Sequence, residues 1–280
     1  MRRTIAVALI LAVACGHGPS PAPEPSSPAA PPSAQAPGIA ARLTEVSAQL
    51  DASIRAWRAS GGTRSWPPPR DLQVLAVTQQ ELFGTLALHP ALRASVLPQL
   101  AGPLRAETAA NVAADAALLS LIVPSGHPSP VRTRAPLPAD ALLGDFHAAQ
   151  TRFGVPWELL AAVNLVESRF GRVVSDSGAG AQGPMQFIPA TWAAYGLGGD
   201  VHDPRDAIMG AANYLHASGS PGDDAGALYH YNPARAYVRA VLLYAQRMQR
   251  DPLAYYAYYN WQVFALTKHG LTQLTGPRIG

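Results

Sequence analysis

Leu43, Val46, Leu50, Ile54 and Trp57 recur at three- and four-residue steps, which lines them along one helix face and gives a strand no consistent side. Gly61-Gly62 and Trp66-Pro67-Pro68-Pro69 interrupt that run. A second periodic stretch begins at Asp71 and carries Leu72, Leu75, Leu82 and Leu86; a third passes from Leu104 through Val112 and Leu118 to Leu121, before Pro124. Five prolines between Pro124 and Pro138 read as a connector. His89 stands alone before Pro90 and reads as structural. Residues 39–138 are therefore expected to be a helical support region that extends the wall of a groove and carries no chemistry of its own.

Composition matters mainly through its uneven placement. The chain has 27 prolines and 24 glycines in 280 residues, and eight of the prolines fall between Pro19 and Pro37 with five alanines and four serines. Such a segment buries no apolar surface and is expected to be extended; at ~3.1 Å per residue it reaches about 60 Å. Ahead of it, Met1-Arg2-Arg3, the apolar run Thr4–Ala14 and then Cys15 have the build of a secretory signal, too short to span a bilayer. Cys15 is the sole cysteine, so no intramolecular disulfide forms. Its place after Val13-Ala14 resembles a bacterial lipobox, which implies lipidation of Cys15 and an anchor in a membrane. Plain signal-peptidase cleavage near Ala12-Val13-Ala14 is the alternative. The expected organisation is a signal at 1–14, a Pro/Ala/Ser linker at 15–38, helical support at 39–138 and a catalytic domain at 139–280. The linker then serves as a tether, or is an inert N-terminal stretch. Net charge is +3, including Arg2 and Arg3, and no Lys/Arg run with interleaved aromatics occurs. A nucleic-acid partner is not expected.

Specific chemistry begins after Ala139. Pro156 suits the first turn of a helix, with Leu159, Val163 and Val166 on its apolar face and Asn164 and Glu167 together on a neighbouring stripe. Gly171 is expected to close this helix. Glu167 then lies in the last turn, where the helix dipole and partial burial both disfavour its ionised form, so it is suited to donate a proton near neutral pH. Arg169 and Arg172 would oppose this if they approached. A lone helical glutamate is ordinarily a solvated surface group. The residues after Glu167 change that reading.

Glu167-Ser168-Arg169-Phe170 is followed by Gly180-Ala181-Gln182-Gly183-Pro184-Met185-Gln186-Phe187-Ile188-Pro189-Ala190-Thr191-Trp192. Further on come Asp203-Pro204-Arg205-Asp206, with Asp203 as N-cap, and Ala227-Leu228-Tyr229-His230-Tyr231-Asn232. These ordered blocks resemble the SLT-type lytic transglycosylases of the lysozyme-like superfamily, over roughly 139–250. Pro184 replaces the family's usual leucine, and Pro233 stands where many members continue Tyr-Asn with Ala-Gly. The resemblance implies a mainly α fold: a lysozyme-like catalytic domain with an N-terminal helical extension. It also implies cleavage of the β-1,4 bond between N-acetylmuramic acid and N-acetylglucosamine in peptidoglycan glycan strands, with a 1,6-anhydromuramoyl product. Glu167 would act first as acid and then as base, assisted by the substrate's own N-acetyl group. Gln186 would bind the acetamido group or sugar, Met185 would pack beneath the ring, and Tyr231 and Asn232 would stand opposite Glu167. Ser175 would add a polar contact. Core filling by Met185, a cleft-wall role for Tyr231 and a helix cap at Asn232 are the competing structural readings. Trp192 reads as core.

The aromatic tail Tyr255–Trp261, with alternation through Val263 and Ala265 towards Gly270, predicts a small C-terminal β-hairpin. No metal-ligand spacing and no phosphate loop is present in the sequence, and no cofactor is expected. Alternatives in other classes are a hydrolytic lysozyme-type muramidase and a catalytically silent glycan-binding envelope module. The expected location is the extracytoplasmic cell envelope, periplasm or cell surface. The sequence does not fix an oligomeric state.

Overall fold

A computed structural model describes residues 32–128 and 130–278. The signal, Cys15 and most of the expected linker lie outside the described residues. The first helix, α1 (Pro32–Ala59), begins seven residues before Ile39, so 32–38 are helical rather than part of an extended tether. Ala36 is fully buried, which rewards the extra turns, and Pro37 falls in the second turn, where it removes only one early helical hydrogen bond. Leu43, Val46, Leu50, Ile54 and Trp57 all face inward as their spacing predicts. Helices α2 (Arg70–Leu88), α3 (Pro90–Val96) and α4 (Gly102–Leu119) complete this half. The short α3, led by Pro90, has no signal in the periodicity.

The second half contains α5 (Ala139–Phe153), α6 (Trp157–Ser168), α7 (Pro189–Tyr195), α8 (Pro204–Ala217), α9 (Asp224–Tyr231), α10 (Arg235–Arg250) and α11 (Leu253–Asn260). A hairpin of β1 (Phe264–Thr267) and β2 (Gly270–Gln273) comes next, antiparallel with Ala265 opposite Thr272 and Leu266 opposite Leu271. The fold is mainly α, and the hairpin is where alternation predicted it. Asp203 caps α8 by accepting from the Asp206 N–H at 3.0 Å, with Pro204 at the first helical position, again as expected.

One apolar core runs from Ala36 of α1 to Trp261 beyond α11. Helix α6 lies inside it, with every residue from Leu159 to Ser168 buried. A helix apolar on nearly all sides belongs at the centre of a fold. Helix α10 runs between α6 and α4: Tyr244 donates to Asp115 of α4, and Arg247 pairs with Glu107 of α4 at 2.9 Å and with Asp251 at 3.0 Å.

The aromatic segment 255–261 is the short helix α11 and its exit. Its tyrosine hydroxyls donate to the Ala139 carbonyl (Tyr255), Asp140 Oδ1 (Tyr256), Asn111 Oδ1 (Tyr258) and the Leu137 carbonyl (Tyr259). Buried phenols need such partners, and these partners join α11 to α4 and to the start of α5. Among the described residues no helix is long and apolar enough to cross a membrane.

Candidate active site

The site is built on the C-terminal end of α6. Pro156 precedes the helix rather than opening it, and the Gln150 side-chain oxygen receives the first free N–H, from Trp157, at 2.7 Å. The other end also differs from expectation. The helix stops at Ser168, and Arg169 (φ 53°), Phe170 (φ 59°) and Gly171 (φ 77°) turn left-handed in succession. Two non-glycine residues in that region carry strain, which persists only where packing overrides it. Phe170 is fully enclosed against Tyr255, with ring centroids 5.5 Å apart, and Arg169 N–H still reaches the Leu165 carbonyl at 3.1 Å.

Ser168 holds this reversal together. Its hydroxyl accepts from Gly171 N–H at 2.9 Å and donates to the Pro184 carbonyl at 2.6 Å. Asn164, one turn earlier, donates to the same carbonyl at 2.8 Å. Asn164 and Ser168 thus clasp the loop bearing Met185 and Gln186, and Pro184, the departure from the family pattern, supplies the carbonyl they hold.

Glu167, on the stripe next to Asn164 and Ser168, keeps only 4% exposure. Tyr237 of α10 donates its hydroxyl to Glu167 Oε1 at 2.7 Å. Burial raises the Glu167 carboxyl to about 8, and the Tyr237 hydrogen bond pulls weakly in the opposite direction. No second carboxylate and no arginine enters that balance. Arg169 faces Asp115 instead, and Arg172 donates to the carbonyls of Tyr259 at 2.7 Å and Arg169 at 3.1 Å. Neither arginine opposes protonation of Glu167.

The remaining expected site residues divide. Tyr231 is within electrostatic reach of Glu167 and of Tyr237, but its hydroxyl donates to the Met185 carbonyl at 2.6 Å rather than to the carboxylate. Met185 is fully buried beneath that contact. Asn232 ends α9, its N–H on the Leu228 carbonyl, and its buried Oδ1 has no partner. Gln186 adopts φ 50° and donates to the Gly183 carbonyl of its own turn at 2.9 Å. Ser175 accepts the Arg132 N–H at 2.8 Å, pinning the connector to the loop after α6. Trp192 is half-buried rather than core, and packs edge-on to Phe187 at 5.1 Å. Tyr237 is the residue sequence reasoning missed; nothing in the sequence around it marks it as a partner of Glu167. Among the described residues no group of three His, Cys, Asp or Glu side chains could hold a metal ion.

A buried glutamate at a helix end, held by one phenol and within electrostatic reach of Tyr231, is an arrangement able to give up and take back a proton. Residues 145–253 match the model of the transglycosylase SLT domain family. This stretch of the chain is an SLT domain. SLT domains have a lysozyme-like fold and belong to peptidoglycan lytic transglycosylases that act in the cell envelope. The match encloses Glu167, the Met185–Gln186 loop, Tyr231 and Tyr237, and leaves α1–α4 and the hairpin outside. No curated protein and no solved structure matches the chain.

Proposed function

We propose that the SLT domain cleaves the β-1,4 bond between N-acetylmuramic acid and N-acetylglucosamine, closing a 1,6-anhydro ring instead of adding water. The observation that carries this reading is the isolation of Glu167: its protonation answers to burial and to Tyr237 alone. A retaining glycosidase with a protein nucleophile needs a second carboxylate ~5 Å away, and an inverting one needs it at ~6.5–9.5 Å. Among the described residues no carboxylate enters the electrostatic balance of Glu167, which supports a reading in which one residue serves both halves of the reaction. Glu167 donates its proton to the glycosidic oxygen, while the muramoyl acetamido oxygen stabilises the anomeric carbon. The resulting carboxylate, accepting from Tyr237, then removes the proton from the sugar's O6 as that oxygen closes on the anomeric carbon. Protons balance, and the enzyme ends as it began.

In this reading Met185, fully buried, supports the loop from within the core, and Tyr231 holds the Met185 carbonyl in place. The unpartnered Asn232 Oδ1 accepts the acetamido N–H, and the Gln186 amide exchanges its Gly183 partner for substrate. Ser175 supports the loop through Arg132 rather than touching sugar. Lipidated Cys15, outside the described residues, would hold the enzyme at a membrane of the envelope, with residues ahead of α1 as spacer.

Mass analysis of fragments released from purified sacculi tests the proposal. Anhydromuramoyl products, one water lighter than reducing-end products, are expected from the native chain, and Glu167→Gln is expected to release none. Reducing-end products would establish a hydrolase instead. Undiminished digestion by Glu167→Gln would remove Glu167 from the chemistry.

A further inference from the structure

Beside the α6 terminus lies a cavity that Glu167 does not line. It has a volume of about 80 Å³ and opens between α2, α4, the end of α6 and the hairpin. At ~10–15 Å³ per water it holds the equivalent of roughly five to eight waters, the size of a small organic molecule. Most of its wall is aliphatic, including Leu118, Ile122, Leu266 and Leu271. Two opposite charges face into it, Asp115 and Arg169.

These two side chains attract one another without closing into an ion pair. Asp115 accepts the Tyr244 hydroxyl, and Arg169 Nη1 donates to the Leu165 carbonyl at 3.2 Å. Arg169 acts on the Asp115 carboxyl electrostatically, from beyond direct contact. An apolar cavity with a fixed anion at one place and a fixed cation at another is costly when empty of complementary charge. Both groups are also fixed in position: Tyr244 orients the carboxylate, and Arg169 is the left-handed residue that ends α6.

We infer that this cavity binds a small aliphatic zwitterion of amino-acid size, its ammonium on Asp115, its carboxylate on Arg169 and its side chain against the leucines. The site is separate from the reaction at Glu167. It is assembled largely from α2, α4 and the hairpin, which lie outside the SLT match, with Val166 and Arg169 as the contribution of the SLT domain.

Calorimetric titration of the full chain with leucine, N-acetylleucine, leucinamide and isocaproate tests this. Leucine is expected to bind saturably, and each singly charged analogue at least about tenfold more weakly, since each loses one charge-assisted contact. Asp115→Asn keeps an acceptor for Tyr244, and Arg169→Gln gives up a hydrogen bond to a backbone carbonyl and the distant attraction to Asp115. Each is expected to retain the native unfolding midpoint within a few degrees and to lose the preference for leucine over the analogue that lacks the matching charge. Glu167→Gln is expected to bind leucine as the native chain does, which separates this site from the catalytic one. Absence of saturable leucine binding, equal binding of the capped analogues, or unchanged selectivity in both folded variants would overturn the inference.

Discussion

The reaction proposed for Glu167 depends on a carboxyl that burial makes costly to charge. Its value of about 8, against an ordinary 4.5, keeps it protonated at pH 7, where a general acid is needed. The same shift has a stability consequence. Between pH 4.5 and about 8 the unfolded chain has released this proton while the folded chain retains it, so unfolding is favoured as pH rises. The loss is absent below pH 4.5, grows across that window and levels off above it. Glu167→Gln has no proton to release and keeps an acceptor for Tyr237. Its stability relative to the native chain should therefore increase from pH 5 to pH 8 by on the order of a few kcal/mol, read from urea unfolding at both values. A pH-independent difference would mean that Glu167 is not held neutral by the fold. Tyr237→Phe removes the one contact that favours the carboxylate, so the carboxyl should rise further. The alkaline limb of kcat should move to higher pH while kcat falls about 10–100-fold, the worth of a hydrogen bond to a charged group. A purely structural tyrosine would lower activity without moving that limb.

Among the elements, the reversal after α6 and the loop it clasps set the geometry. Gly183, at φ 72°, is the tightest point: a Cβ there would collide with the Val201 carbonyl oxygen, which is backbone and cannot swing aside. Gly183→Ala should destabilise the chain by at least about 2 kcal/mol in urea unfolding and shift the neighbouring Pro184 carbonyl off Ser168 and Asn164, with loss of activity. Unchanged stability would show that the loop has slack. Much of this region is legible in the sequence. The caps and periodicity give α6 and the start of α8, and the ordered motif blocks single out Glu167 and the Met185 loop. What sequence leaves hidden is decided by contacts far along the chain. Gly171 looks like a helix stop, yet α6 ends three residues earlier because Phe170 is drawn into the aromatic cluster around Tyr255. Tyr237 looks like a core residue, and only folding brings its hydroxyl to a glutamate 70 positions away. The available hint is general: a tyrosine on a buried helix face needs a partner for its hydroxyl. Helix α1 extends into a proline-rich stretch for a similar reason, since burial of Ala36 has no counterpart in local propensity.

For the whole molecule, the question is whether the SLT domain stands alone. Its matched segment ends at Leu253, but the surfaces of α10 and α11 are completed by the N-terminal half. Tyr244 gives its hydroxyl to Asp115, Arg247 its charge to Glu107 and Tyr258 its hydroxyl to Asn111, all three on α4. Phe83 of α2 packs against Trp261, and Trp57 of α1 stacks on Tyr259. Removing residues 1–138 would expose these aromatic faces, leave the buried Tyr244 and Tyr258 hydroxyls without their acceptors and leave Arg247 with Asp251 alone. Each large apolar side chain returned to water costs about 1.5–3 kcal/mol, so a handful of them matches the ~5–15 kcal/mol that holds a typical domain together. We therefore expect a 139–280 fragment to lack a cooperative thermal transition and to aggregate at concentrations where the full chain is monodisperse. The full chain should unfold in one transition, with fluorescence and far-UV circular dichroism coincident. A fragment that unfolds cooperatively and still digests sacculi would show that the support helices are an appendage. A single core implies instead that mutations on α4, remote from Glu167 in sequence, reach the active site through α10, the helix that carries both Tyr237 and Tyr244.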